Sequence, residues 1–191
     1  MLSYLANQIR DSLSSVIEGA GDVVATARDT AKKTVIDTVR GAGEVATSSM
    51  NVVADVVAGG AAAASKSAKS TIDGVAGVVE GSIEAAKDVG QDVGQAIVDA
   101  AKGAISGVSE VGGDLGEAAV GTVRGTIQAA STIGTDTTEA TTKAVVGVIK
   151  AADAIGSEAG ASVRKALLST ASLPREIIEA AIGKADKEEG K

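Results

Sequence analysis

The chain has 191 residues, a net charge of −7 and 24 glycines, but no cysteine, histidine, phenylalanine or tryptophan. The lack of thiols excludes a disulfide framework and a thiolate metal site, and the lack of histidine removes the commonest general base and transition-metal ligand. The acidic balance argues against nucleic acid as a partner. We therefore expect a non-enzymatic protein with no catalytic residues, cofactor, metal or small-molecule substrate.

The first ten residues, Met1–Arg10, have no basic segment followed by an apolar one, so no signal peptide is expected. Charge-free runs such as Val56–Ser65 reach about ten residues, half of the roughly 20 that a membrane-spanning helix needs. A transmembrane protein is therefore not expected. The location is unknown, with the cytoplasm as the default.

An 11-residue period organises the charged residues along almost the whole chain. A helix completes about three turns in 11 residues, so each position of such a repeat keeps a fixed angle around the axis. Of about 37 charged residues between Arg10 and Glu179, all but Arg28 occupy five neighbouring angular positions. The other six positions form an apolar or small-residue face about 200° wide. The pattern predicts an amphipathic helix that works through its surface.

Because this period is never lost, residues 1–171 are predicted to form one hendecad-repeat helix, about 260 Å long. A hairpin turn usually adds or deletes residues and resets the count. Gly59 and Gly60 are a weak point, and Pro174 predicts a kink or short break. Residues 172–183 continue in register, and residues 184–191 form a charged, frayed tail.

The predicted fold class is thus all-α: a long amphipathic helix with an 11- or 22-residue repeat, in a straight or slightly right-handed coiled-coil oligomer. Each glycine inside a helix costs about 1 kcal/mol relative to alanine. An isolated helix with this composition should be mostly unfolded in water. Association with copies of itself, with another helix or with lipid must supply the difference.

Blocks of 22 residues begin at Gly81, Gly103, Gly125 and Gly147. Each has an isoleucine near its start and two small residues four apart near its middle. Since small-xxx-small pairs let helices approach closely, we expect the isoleucine of one chain to pack into the glycine notch of a neighbouring chain. A drifting Ala/Gly-rich repeat is the alternative. The predicted self-association residues are Ile83, Gly90, Gly94, Ile105, Gly112, Gly116, Ile127, Gly134, Ile149, Gly156 and Gly160.

The two borders of the polar face differ in charge. One border carries bases such as Lys87 and Arg164, and the other carries the acids Asp92, Asp114 and Asp136. In neighbouring parallel helices, the basic border of one would meet the acidic border of the next, as e and g positions do in a heptad coil. A solvated charged face is the alternative.

The segment Thr26-Ala-Arg-Asp-Thr-Ala-Lys-Lys-Thr34 resembles a repeat of the group 3 late-embryogenesis-abundant proteins. The sustained 11-residue pattern also resembles hendecad coiled coils and the lipid-surface helices of perilipins. These resemblances imply a helix whose surface does its work.

We therefore expect a structural protein that associates with itself, side by side, into a homo-oligomeric bundle, sheet or filament. The alternative is a peripheral membrane or lipid-droplet protein whose amphipathic helix forms on lipid. High helicity without lipid would favour self-assembly, and helicity that appears only with vesicles would favour the alternative.

Overall fold

The computed structural model of the chain describes residues 4–19, 22–46, 51–67 and 70–189. Every regular element in these ranges is an α-helix, which confirms the predicted all-α class. The helices are α1 (Tyr4–Gly19), α2 (Val23–Ala46), α3 (Val52–Lys66), α4 (Thr71–Asp88), α5 (Val93–Glu110), α6 (Leu115–Ile133), α7 (Thr137–Ile155), α8 (Ser157–Ser169) and α9 (Arg175–Glu189).

The predicted uninterrupted rod over residues 1–171 is wrong, because the chain folds back on itself after each helix. The most extensive contacts, those of α2 with α4, α3 with α5, α4 with α6 and α1 with α3, join helices two places apart along the chain. Helices α1, α3, α5, α7 and α9 therefore form one layer, and α2, α4, α6 and α8 form a second layer packed against it. We call this arrangement the two-layer array. Its apolar interior lies between the layers and between neighbours within each layer.

Three turns of identical construction replace the continuous helix that the period suggested. Each contains a glycine with a left-handed backbone, at φ of 77° for Gly90, 70° for Gly112 and 72° for Gly134. Two residues later an aspartate caps the next helix, and its carboxylate accepts a hydrogen bond from the backbone N–H three positions on. Left-handed glycine and a capping aspartate are the ordinary signals for ending one helix and beginning another.

The period survives these turns because helix and turn together always span the same number of residues. Helices α4 to α7 begin at Thr71, Val93, Leu115 and Thr137, each 22 residues after the one before. A turn of constant length preserves the 22-residue count just as a continuous helix does. The expectation that turns would reset the phase failed for this reason.

The interior is built mostly from alanine and valine, with few large side chains. Leu13, Ile83, Ile105, Ile149 and Leu167 are among its largest fully buried residues. Such small side chains fill space only if the helix backbones lie close together. The wide apolar face predicted from the sequence is thus covered by helices of the same chain.

α3 passes through the predicted weak point at Gly59 and Gly60 without a break. The chain is non-helical between Ser169 and Arg175, where Pro174 predicted a kink or short break. α9 continues to Glu189 and buries Ala185, so the predicted frayed tail is wrong for residues 184–189. The last two residues of that predicted tail lie outside the described residues.

Candidate functional site: helix contacts and edges of the array

The predicted isoleucine knobs lie inside the chain. Ile83, Ile105 and Ile149 are fully buried, and Ile127 is half-buried against the same core. Each therefore packs against other helices of its own molecule. A single chain does not test whether a second copy also uses these positions, so their part in self-association stays a prediction.

The predicted glycine notches divide into two groups. Gly90, Gly112 and Gly134 form the turns, and a Cβ atom added to any of them would meet nothing within 4 Å. They are needed for their left-handed backbone and make no close contact. Gly156 precedes α8 with an extended backbone, and it too has open space around it.

The remaining three predicted notches do pack closely, each at a different kind of contact. A Cβ on Gly116 would lie 2.8 Å from the Cβ of Ala166 in α8. A Cβ on Gly94 would meet the end of the flexible Lys143 side chain in α7, and one on Gly160 would meet the carboxylate of Asp153. These contacts lie within one chain, so the predicted part of these glycines in self-association stays a prediction.

A second set of glycines, not among the predicted notches, makes the closest contacts between helix backbones. A Cβ on Gly121 would lie 2.7 Å from the carbonyl oxygen of Ile72, and one on Gly125 would lie 3.0 Å from the Cα of Ala76. These contacts join α6 to α4. The same type of contact recurs along both layers, at Gly59, Gly77, Gly81, Gly103, Gly107, Gly121 and Gly125.

These close-contact glycines had a visible sequence signal. Gly77 and Gly81 are four residues apart, as are Gly121 and Gly125 in the second layer and the corresponding pair of α5 in the first. Pairs with this spacing let helix backbones touch. The spacing alone cannot distinguish these pairs from the pairs in the middle of each block, where Gly90 in fact follows the end of a helix.

The polar side of α4 carries an acidic stripe, Glu80 and Glu84, that is neutralised by cations of α2. Arg28 of α2 lies 3.8 Å from Glu80, and Lys32 of α2 lies 3.1 Å from Glu84. These two glutamates are among the buried charged residues, at 6% exposure each. Burial raises the pKa of Glu80, and the nearby Arg28 guanidinium opposes that shift. Arg28, the one charged residue outside the polar positions of the period, thus makes an interhelical ion pair.

Arg164 of α8 joins three helices at the other end of the array. Its guanidinium donates two hydrogen bonds to Asp153 of α7, at 2.8 and 2.9 Å, and two more to Asp186 of α9, at 2.9 and 3.1 Å. The hydrogen bonds to Asp153 raise the pKa of Arg164 above its ordinary value. A bidentate geometry of this kind fixes orientation as well as adding energy.

The predicted pairing of basic and acidic borders does not hold for the residues that suggested it. Asp92, Asp114 and Asp136 cap helices in place of meeting cations. Lys87 donates to the carbonyl of Ile133 at the end of α6. Arg164 of the basic border does form interhelical ion pairs, but with Asp153 and Asp186, which are not members of the acidic border.

No protein-family model matches the chain, and none of the curated proteins matches it significantly. Within the described residues, none of the helices combines the length and the hydropathy that crossing a bilayer requires.

Proposed function

We propose that the protein is a non-enzymatic structural protein that associates with copies of itself, with whole two-layer arrays as the associating units. The repeated glycine contacts support a rigid unit, because each brings two helix backbones together without flexible side chains between them. The polar side chains of the helix termini and of the α4 stripe contribute to the same rigidity through caps and interhelical ion pairs.

One exposed apolar position carries this proposal. Val98 of α5 is 39% exposed, and its Cα lies 4.0 Å from the position of a Cβ on Gly147 of α7. One and two turns further along α7, Ala151 is half-buried and Ala154 is exposed. We call Val98, Gly147, Ala151 and Ala154 the Val98 strip; its side chains are no larger than valine, which favours close approach of a second array.

Sedimentation equilibrium over a range of protein concentrations tests the proposal. We expect the weight-average mass to rise above that of one chain as the concentration increases. V98E should abolish the rise, because a carboxylate would be buried in the contact. L168E is the matched control, since Leu168 is 41% exposed on α8 of the other layer. A mass of one chain at every concentration, or equal loss in both variants, contradicts the proposal.

Binding to a lipid surface is a second candidate, supported by the register of the charges. The turn residues Asp92, Asp114 and Asp136 occupy the same polar positions of the 11-residue period as the charges within helices. If the turns became helical, the opened chain would present all charges but Arg28 on one side between residues 10 and 179, and an apolar face on the other.

A disulfide staple separates this candidate from the first, and the natural chain has no cysteine to interfere. G116C/A166C would join α6 to α8, where the Cβ positions are 2.8 Å apart and need a small separation to reach the usual 3.5–4.5 Å of a disulfide. We expect dioleoyl-phosphatidylcholine vesicles to bind the reduced variant and not the oxidised one. Equal binding by both forms, or by neither, excludes opening on lipid.

A further inference from the structure

The close contacts follow one register rule in both layers. In α4, Ile72 and Ala76 are contacted by the glycines of α6, and the residues five positions later, Gly77 and Gly81, contact α2. In α3, Ala54 is contacted by Gly103 of α5, and Gly59, five positions later, contacts α1. Each inner helix thus receives a neighbour along one edge and packs its own glycines on a neighbour along the other edge.

Applied to the first helix of each layer, the rule ends on charged residues. In α2, Val24 and Arg28 are contacted by the glycines of α4, and five positions later lie Asp29 and Lys33. In α1, Ala6 is contacted by Gly59 of α3, and five positions later lies Asp11. Where the inner helices have glycine, the first helices have an acid or a base.

These charges project into solvent. The side chains of Asp11, Asp29 and Lys33 are 70%, 69% and 78% exposed. Each also lies beside an oppositely charged neighbour, with Lys33 2.9 Å from Asp37 and Asp29 3.0 Å from Arg28. A helix added to this edge would bury these groups against its backbone, at the cost of desolvating them.

We propose that Asp11, Asp29 and Lys33 close the first edge of the two-layer array against a second copy of this chain. Without these charges, the glycine contacts could continue from the first helices to a helix of another copy. Repeat proteins end such stacking with a terminal repeat that has a polar outer face. The charged edge directs association away from edge-to-edge growth. The inference stands whether or not the array associates through its Val98 strip.

The test is a triple variant, D11G/D29G/K33G, compared with the wild type by sedimentation equilibrium at equal concentration. We expect its weight-average mass to be at least twofold higher, because glycine removes the charges and restores the surface that Gly59, Gly77 and Gly81 present on the inner helices. Alanine would not suit this contact, since a Cβ on these glycines would overlap backbone atoms of the neighbouring helix.

The matched control is D99G/K102G/E110G, which introduces the same number of glycines and removes the same number of acids and bases from α5, a helix with neighbours on both edges. The charge-swapped variant D29K/K33D keeps the edge closed and should retain the wild-type mass. Circular dichroism is used to check that each variant is folded. A triple variant with the wild-type mass, or a control that associates equally, overturns the inference. A monomeric wild type would sink only the proposed function, because this comparison is made relative to the wild type.

Discussion

Gly121 of α6 lies directly on the carbonyl of Ile72 in α4, so close that a Cβ atom would be 2.7 Å from that oxygen. Real Cβ atoms do not approach a carbonyl this closely, so one layer of the array depends on the hydrogen atom that glycine has in its place. The equivalent contact at Gly125 repeats the arrangement one turn later.

Replacing both glycines by alanine should therefore destabilise the array. We expect G121A/G125A to lower the free energy of unfolding by about 2–5 kcal/mol, since inserted methyl groups in a packed interior typically cost about 1–3 kcal/mol each. Urea unfolding followed by circular dichroism measures the change. G41A is the control, because a Cβ on that exposed glycine meets nothing within 4 Å. It should be stabilising by up to about 1 kcal/mol through helix propensity. Equal effects would show that the close contact is unimportant.

The turn between α5 and α6 should respond to two separate substitutions. G112A forces alanine into a left-handed backbone at φ of 70°, which costs about 1–2 kcal/mol. D114A removes the cap whose carboxylate accepts from the N–H of Glu117 at 3.0 Å, with a loss of about 1 kcal/mol. Both should lower the thermal midpoint. G112N should lose less than G112A, since asparagine tolerates this conformation, and the reverse order would contradict the assignment.

The two partners of Arg164 should contribute unequally. The Asp153 side chain is 16% exposed and the Asp186 side chain 54% exposed. Asp186 can therefore exchange the guanidinium for water as a hydrogen-bond partner, whereas Asp153 cannot. We expect D153N to lower the free energy of unfolding by about 2 kcal/mol, and D186N by less than about 1 kcal/mol. Double-mutant cycles with R164M measure both couplings, and equal couplings would argue against burial as the cause.

The stability of the array should depend on pH through Glu80. Its folded-state pKa is raised, first by burial, so the ionised carboxylate is unfavourable in the folded state at neutral pH. E80Q should therefore raise the free energy of unfolding at neutral pH. That advantage should shrink as the pH falls through the raised pKa and vanish below the ordinary glutamate value, where the wild-type carboxyl is also neutral.

E84Q is the control for this pH dependence. Glu84 is as buried as Glu80, but its carboxylate lies 3.1 Å from Lys32 and accepts a hydrogen bond from it. Removing the carboxylate breaks that ion pair, so E84Q should lower the stability at neutral pH. Stabilisation by both variants would show that loss of negative charge alone, and not the surroundings of Glu80, is responsible.

The helical class, the 22-residue unit and the division into polar and apolar faces could all be predicted from the amino-acid sequence. These features follow from local spacing, because the period of a helix fixes which side chains share a face. The sequence also identified the use of small residues for close approach, although the assigned pairs included Gly90 and Gly112, which end helices.

The sequence left open whether the apolar face is covered by other chains or by the same chain. The fold shows that helices of the same chain bury it. A 22-residue repeat is compatible with a rod and with a helix followed by a turn, since both advance the pattern by the same count. The folded array gains from the turn at Gly112 and Asp114 and from the burial of Ile83 and Ile105 between layers. A rod would instead gain the helical hydrogen bonds that the turns interrupt. Those burial contacts join residues far apart along the chain, and no local pattern reports them.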